Sequence, residues 1–133
     1  MRITPDHIDT LKENEIFVFG SNLHGKHHGG AAFFAHRFFG AVYGQGVGLQ
    51  GQSYAIPTTM RRGLIKPYVA GFIEFAKEHP ELNFMVTPVG CGNAGYTPEE
   101  VAPLFRSCLN MENIWLPQSF IEVLEKKHET IDV

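Results

Sequence analysis

Two glycine-rich stretches hold the residue types most able to do chemistry. The first runs from Gly20-Ser21-Asn22 to Gly29-Gly30-Ala31, and the second is Gly90-Cys91-Gly92-Asn93-Ala94-Gly95-Tyr96. Glycine lets backbone N–H groups converge on phosphate oxygens with no Cβ in the way, so two such loops facing each other would make a cradle for a diphosphate. Tight turns alone also select glycine, and that plainer reading stands beside the first. Asn22 adds an amide that both donates and accepts, suited to ribose hydroxyls or to capping the turn that follows a strand. His24, His27 and His28 put three imidazoles on the first loop. No Cys or carboxylate close in sequence completes a metal set, so they read as solvated histidines, with His27 and His28 the candidates for a general acid or base beside Asn22. Cys91 would be a nucleophile only if loop amides stabilised its thiolate; otherwise it is a small residue fitted beside the ligand. No metal and no cofactor is called for.

The elements that must position these loops can be read from the apolar pattern. Ile16–Phe19 is a short apolar β-forming run and reads as a buried strand delivering the first loop. Ala31–Phe39 follows as a helix stopped by Gly40, which sets the first loop at a helix N-terminus where an anion is favoured. Ser53–Ile56 reads as a second strand ended by Pro57, and Leu64–Glu78 as an amphipathic helix with Pro67 in its first turn. Leu82–Thr87 is a third strand leading into the second loop. Thr97 then caps a helix that carries Pro98 at its first position and is expected to reach about Ser107 in spite of Pro103. Asn113–Pro117 and Gln118–Lys127 read as a last strand and a terminal helix, with Ser119 as its cap. Strands alternating with helices imply crossovers and a largely parallel sheet, whose ligands sit at the carboxyl ends of the strands.

Composition narrows the class. Residues 1–133 fit one domain. A net charge of −3 supplies no cationic field for a phosphate backbone, which argues against nucleic acid as partner, while a small anion can still be held by amides. Two cysteines without a CxxC pair point to a reducing compartment, and with no apolar run of membrane-span length the expectation is a cytoplasmic protein with no membrane partner. The 11 Phe matter because Phe33, Phe34, Phe38 and Phe39 crowd one short helix, more than a single buried face needs. One or two of them should form an exposed patch or line a base pocket. Cys108 reads as packing. The oligomeric state is left open.

The first loop and its helix resemble the macrodomain family. Asn22 falls where that family ends a strand with Asn, Gly29-Gly30 in its glycine run, and His36-Arg37 with Gly40 in its following helix. Gly48-Leu49-Gln50 and Ser53–Thr58 are similar to the family's next turn and strand, and Val89–Tyr96 with Pro98 to its diphosphate loop, with one extra residue. The likeness runs from about Ile16 to Leu116. It implies an α/β fold, a three-layer α/β/α sandwich with a mixed, largely parallel sheet, binding ADP-ribose or an ADP-ribosylated target. It would put the diphosphate between Gly29-Gly30 and the amides of Gly92–Gly95, with Tyr96 stacked near the distal ribose or sealing the loop. Two departures bear on chemistry. Where hydrolytic members carry a water-orienting Asp, this chain has Ala32. The family's early Asp, which bonds the adenine, would have to be Asp6 or Asp9, in a polar stretch that does not read as a strand.

The expected function is therefore binding of ADP-ribose or a related nucleotide diphosphate. A hydrolase of ADP-ribosyl or related phosphoester groups is one alternative. A protein-interaction domain with a vestigial pocket is another.

Overall fold

The computed structural model describes residues 2–59 and 64–131. It is an α/β fold built on a six-stranded, mostly parallel mixed sheet of order β1-β6-β5-β2-β4-β3. The strands are β1 Ile3–Thr4, β2 Glu15–Ser21, β3 Gly48–Gln50, β4 Ser53–Pro57, β5 Asn83–Val86 and β6 Ile114–Pro117. The helices are α1 Gly30–Phe38, α2 Lys66–Glu78, α3 Pro98–Val101 and α4 Gln118–Ile131, with a 3-10 helix at Ala102–Asn110. Only the β3–β4 pair is antiparallel.

β2 lies between β4 and β5 and is apolar on both faces, and this is why its four central residues carry no alternation of polar and apolar types. Its side chains divide by parity. Ile16 and Val18 enter a larger core with residues of α2, the 3-10 helix and α4, including Phe72, Phe105 and Phe120; Phe17 and Phe19 enter a smaller one with Ala32, Ala35 and Phe39. Full burial of each such aromatic is worth roughly 1.5–3 kcal/mol.

Four expectations are corrected. A strand exists at Ile3–Thr4, held by parallel pairing with β6, so the amino-terminal stretch joins the sheet just before Asp6. The helix after Thr97 keeps α geometry only to Val101 and goes on as a 3-10 helix to Asn110, past Ser107. Pro103 is the cause: it has no N–H for the carbonyl four residues back, and its ring crowds that carbonyl. Ser119 is inside α4 rather than capping it, because the chain passes from Pro117 of β6 directly into the helix at Gln118, and α4 extends beyond Lys127. Gly48–Gln50, which reads as a turn, is an edge strand.

Other local readings hold. Thr97 caps α3, its N–H donating to Glu100 Oε1 at 3.0 Å, with Pro98 in the first turn. Gly40 takes φ 79° past the end of α1, and Ala41 N–H closes on Ala35 O at 3.1 Å.

Candidate functional site

β2 and β5 are parallel neighbours, so the loops that leave their carboxyl ends meet at one edge of the sheet. They meet closely: a Cβ on Gly20 would stand 3.1 Å from Gly90 N, so a side chain there would require the second loop to shift by a few tenths of an ångström. Thr87 Oγ1 donates to Val18 O at 2.7 Å and Thr58 N–H to Ser21 O at 2.9 Å, tying the ends of β5 and β4 to β2. Between the loops lies a cleft of about 360 Å³, within the range of small-molecule sites.

Of the residues singled out from sequence, Gly20, Ser21, Asn22, His28, Gly29, Gly30, Ala31, Gly90, Gly92, Asn93 and Ala94 line this cleft. His27, Cys91, Gly95 and Tyr96 are not in its wall. Tyr96 packs on the larger core with its ring against Gly90. Cys91 also packs on that core, and burial, helped by the charge of Glu99, raises its thiol pKa, the opposite of what a nucleophile needs. Lys26, Ala32, Thr58, Thr59 and Thr87 complete the wall. Of these, only Ala32 drew notice in the sequence. Lys26 carries no local signal, since its place follows from how the loop is folded.

That folding is the work of Asn22. Its Nδ2 donates to Lys26 O at 3.0 Å and its Oδ1 accepts from Lys26 N–H at 3.0 Å, so the amide is spent on holding a turn. Its plainer reading, a loop-shaping residue, therefore accounts for both of these bonds. Ser21 does similar work from within, donating to Gly46 O.

The histidines part ways. His28 faces the cleft, and its Nε2 lies 3.4 Å from Tyr43 Oη. His27, expected in solvent, is 2% exposed and packs edge-on against Phe19 with ring centroids 5.3 Å apart. The reading as a solvated side chain is thus corrected: the loop folds back on the sheet and takes His27 with it. Among the described residues no cluster of His, Cys, Asp and Glu is arranged to hold a metal ion.

The amino end of α1 opens into the cleft through Gly29, Gly30, Ala31 and Ala32. It has no side-chain cap and no acidic residue in its first turn. The first N–H groups of a helix have no partner within it, and the dipole makes them a positive end. α3, whose start is outside the cleft wall except at its preceding loop, shows the contrast, with Glu99, Glu100 and a capping box in that place. Gly30 has φ 60°, which calls for glycine by itself. Gly29 does not: its φ of −153° suits any residue, and an added Cβ would meet only Asn93 Nδ2, at 3.5 Å.

A second pocket of about 280 Å³ adjoins the cleft, sharing Ala31, Thr87 and Pro88 with it. Phe17, Phe34, Ile8 and Pro117 make it apolar, and Asp6 stands in its wall. The Phe crowd on α1 is resolved here: Phe39 is buried, Phe34 lines this pocket, and Phe33 and Phe38 are exposed. Among the described residues no helix is long and apolar enough to cross a membrane. No protein-family model, no curated protein and no solved structure matches the chain.

Proposed function

We propose that this chain is a macrodomain-like module that binds ADP-ribose or a related nucleotide diphosphate. The observation that carries the reading is the uncapped, acid-free start of α1, which opens on a cleft whose opposite wall is the second glycine loop. Amides and a helix dipole on one side, Lys26 at the rim and small residues opposite suit a diphosphate. The adjoining apolar pocket suits a flat base, with the Asp6 carboxylate as an acceptor for an exocyclic amine. On this reading the finer architecture is the three-layer α/β/α sandwich, with α1 on one face of the sheet and α2 and α4 on the other. The target is either free ADP-ribose or an ADP-ribosyl group on a protein.

Calorimetry against ADP-ribose, ADP and AMP tests it. ADP-ribose is expected to bind most tightly, and AMP, which offers one phosphate to a two-phosphate cradle, at least tenfold more weakly. Equal affinity for AMP and ADP-ribose removes the basis of the proposal.

One observation favours a second reading, hydrolysis of an ADP-ribosyl or related phosphoester bond. His28 is at the cleft, with the Tyr43 hydroxyl 3.4 Å from its Nε2, which puts an imidazole within reach of a bound ligand for proton transfer. Product release from ADP-ribosylated protein, lost in a folded His28→Ala variant that still binds ADP-ribose, is what this reading requires.

A further inference from the structure

The buried His27 has a ring nitrogen, Nδ1, with no hydrogen-bond partner, and its other nitrogen lies between two oxygens. Nε2 is 2.9 Å from Val42 O and 3.3 Å from Gln50 Oε1. The orientation of the Gln50 amide is settled by its other bonds. Its oxygen accepts Val42 N–H at 2.7 Å, and its nitrogen donates to Gln45 O at 3.1 Å and Gly48 O at 3.3 Å. Both neighbours of Nε2 are therefore acceptors, and Nε2 must carry the proton. The ring is 2% exposed, with Phe19 of β2 and His36 of α1 against it, so its Nε2–H is directed at those two oxygens inside the fold.

We infer that His27 is the positioning residue of the first loop, a pin that ties the wall carrying Lys26, His28 and Gly29 to the Val42 and Gln50 backbone segment behind it. Other ties to that segment run from Gly44 N–H to Gly25 O at 2.9 Å, from Ser21 Oγ to Gly46 O and through the exposed His28–Tyr43 contact, and His27 is the buried side chain that ties the stretch carrying Lys26 and Gly29. The glycines of the loop contribute no side chains, and Asn22 binds within the loop rather than across to another element. The pin explains why a histidine is buried next to a cleft it does not enter: it has one directional donor and an apolar ring, and the site uses both. It also removes His27 from any role in proton transfer, since its Nε2 proton is committed and its Nδ1 faces the interior.

The bearing on ligand affinity rests on the proposed ADP-ribose site, while the bearing on loop order does not. The test uses the full chain, with His27→Leu to remove the donor at similar size and His27→Gln to restore an amide N–H at about the reach of Nε2. Nitrogen NMR of the unmodified protein is expected to show His27 protonated at Nε2; a bare Nε2 overturns the inference without any variant. In His27→Leu, amide exchange at Gly25, Lys26 and Gly44, whose N–H groups are bonded within the loop or to it, is expected to quicken about tenfold while Val18 and Phe84 stay protected, and His27→Gln is expected to reverse it. ADP-ribose affinity should fall in His27→Leu only by the factor lost from the ordered-loop population, which is small while the open form stays a minority. Unchanged exchange in a folded His27→Leu chain overturns the pin. Failure of the unmodified protein to bind ADP-ribose overturns the proposed function, and the exchange data then decide the pin alone.

Discussion

Replacing Gly29 by Asp should stabilise the protein and abolish its ligand binding, two effects of opposite sign that few other mechanisms produce together. Gly29 is the N-cap of α1 and already has the extended backbone that a capping residue adopts, φ −153° and ψ 167°. An added Cβ meets no protein atom closer than Asn93 Nδ2, at 3.5 Å, an ordinary van der Waals contact. Asp at an N-cap gains a few tenths of a kcal/mol over Gly, and its charge against the helix dipole adds ~0.3–1 kcal/mol. The sum, about 0.5–1 kcal/mol, should lift Tm by roughly 2–4 °C for a domain of this size. The same carboxylate would stand where the proposed function seats the phosphates. Two unit charges ~5 Å apart at an effective dielectric of ~20 repel by about 3 kcal/mol, and the helix amides are taken as well. ADP-ribose affinity should fall about 100-fold or more. Gly29→Ser separates the terms: it caps without charge, so it should gain little stability and lose about tenfold in affinity. The assay is a thermal melt beside calorimetry on the same preparations. A Gly29→Asp chain with a raised Tm and normal ADP-ribose binding would refute the placement of the anion at α1. A lowered Tm would refute the capping geometry.

Gly92→Val should leave stability within about 0.5 kcal/mol, since an added Cβ there meets nothing within 4 Å, yet weaken ADP-ribose binding by about tenfold or more. Gly95→Val should instead lose about 1–3 kcal/mol in urea unfolding because its φ of 81° strains a branched residue, so weaker binding by that variant reports on the loop's fold and not on a blocked phosphate. Ala32→Asp puts a carboxylate on the cleft wall at the place of the hydrolytic members' Asp, and turnover of protein-linked ADP-ribose should rise by ~10²-fold or more if the scissile bond sits there; no rise in a folded variant that still binds removes that placement. Cys108 gives an alkaline prediction. Burial pushes its thiol up to about 12 from an ordinary 9.0, so above pH ~9 the unfolded chain loses a proton that the folded chain keeps, and stability falls by about 1.4 kcal/mol per pH unit until the folded thiol ionises. Urea unfolding of Cys108→Ala should lack that part of the slope, and an identical slope in both proteins would show that the thiol is not the cause.

The strands were legible where burial leaves a compositional mark. Ile16–Phe19 and Leu82–Thr87 are apolar on both faces because they sit at the centre of the sheet, and a run of that kind needs no knowledge of its neighbours to be seen. β1 is the reverse case, two residues that are a strand only because β6 offers an edge, and no window along the chain contains both. The loops were legible as glycine clusters but not in their parts. Gly29, Gly92 and Gly95 look alike in sequence, and only the backbone angles and the space around each separate the one that a turn requires from the two that it does not. His27 and His28 are neighbours with the same side chain, and their fates differ because Phe19, Val42 and Gln50, up to 23 residues away, claim one of them. Lys26 was silent because its position follows from the Asn22 turn, which is a product of folding and not of composition.

A glycine that the fold does not need is the most informative residue in such a site. Gly20 and Gly30 answer to a close approach and to a left-handed φ, and replacing either would test the backbone rather than the function. Gly29 and Gly92 answer to neither, though Ser or Asp at position 29 would make a better helix start. Keeping Gly there gives up a few tenths of a kcal/mol of cap and leaves the first amides of α1 unpaired, a cost the domain could shed with one substitution. The same end of α1 also lacks the acidic residues that α3 carries in its first turn. α2 starts just as bare, uncapped and with no acid in its first turn, so what sets α1 apart is that its bare end opens on the cleft between the glycine loops, where an anion from outside could meet it. A chain of net charge −3 can then hold a diphosphate without a cationic surface, because the charge it meets is local, made of amides, a dipole and Lys26.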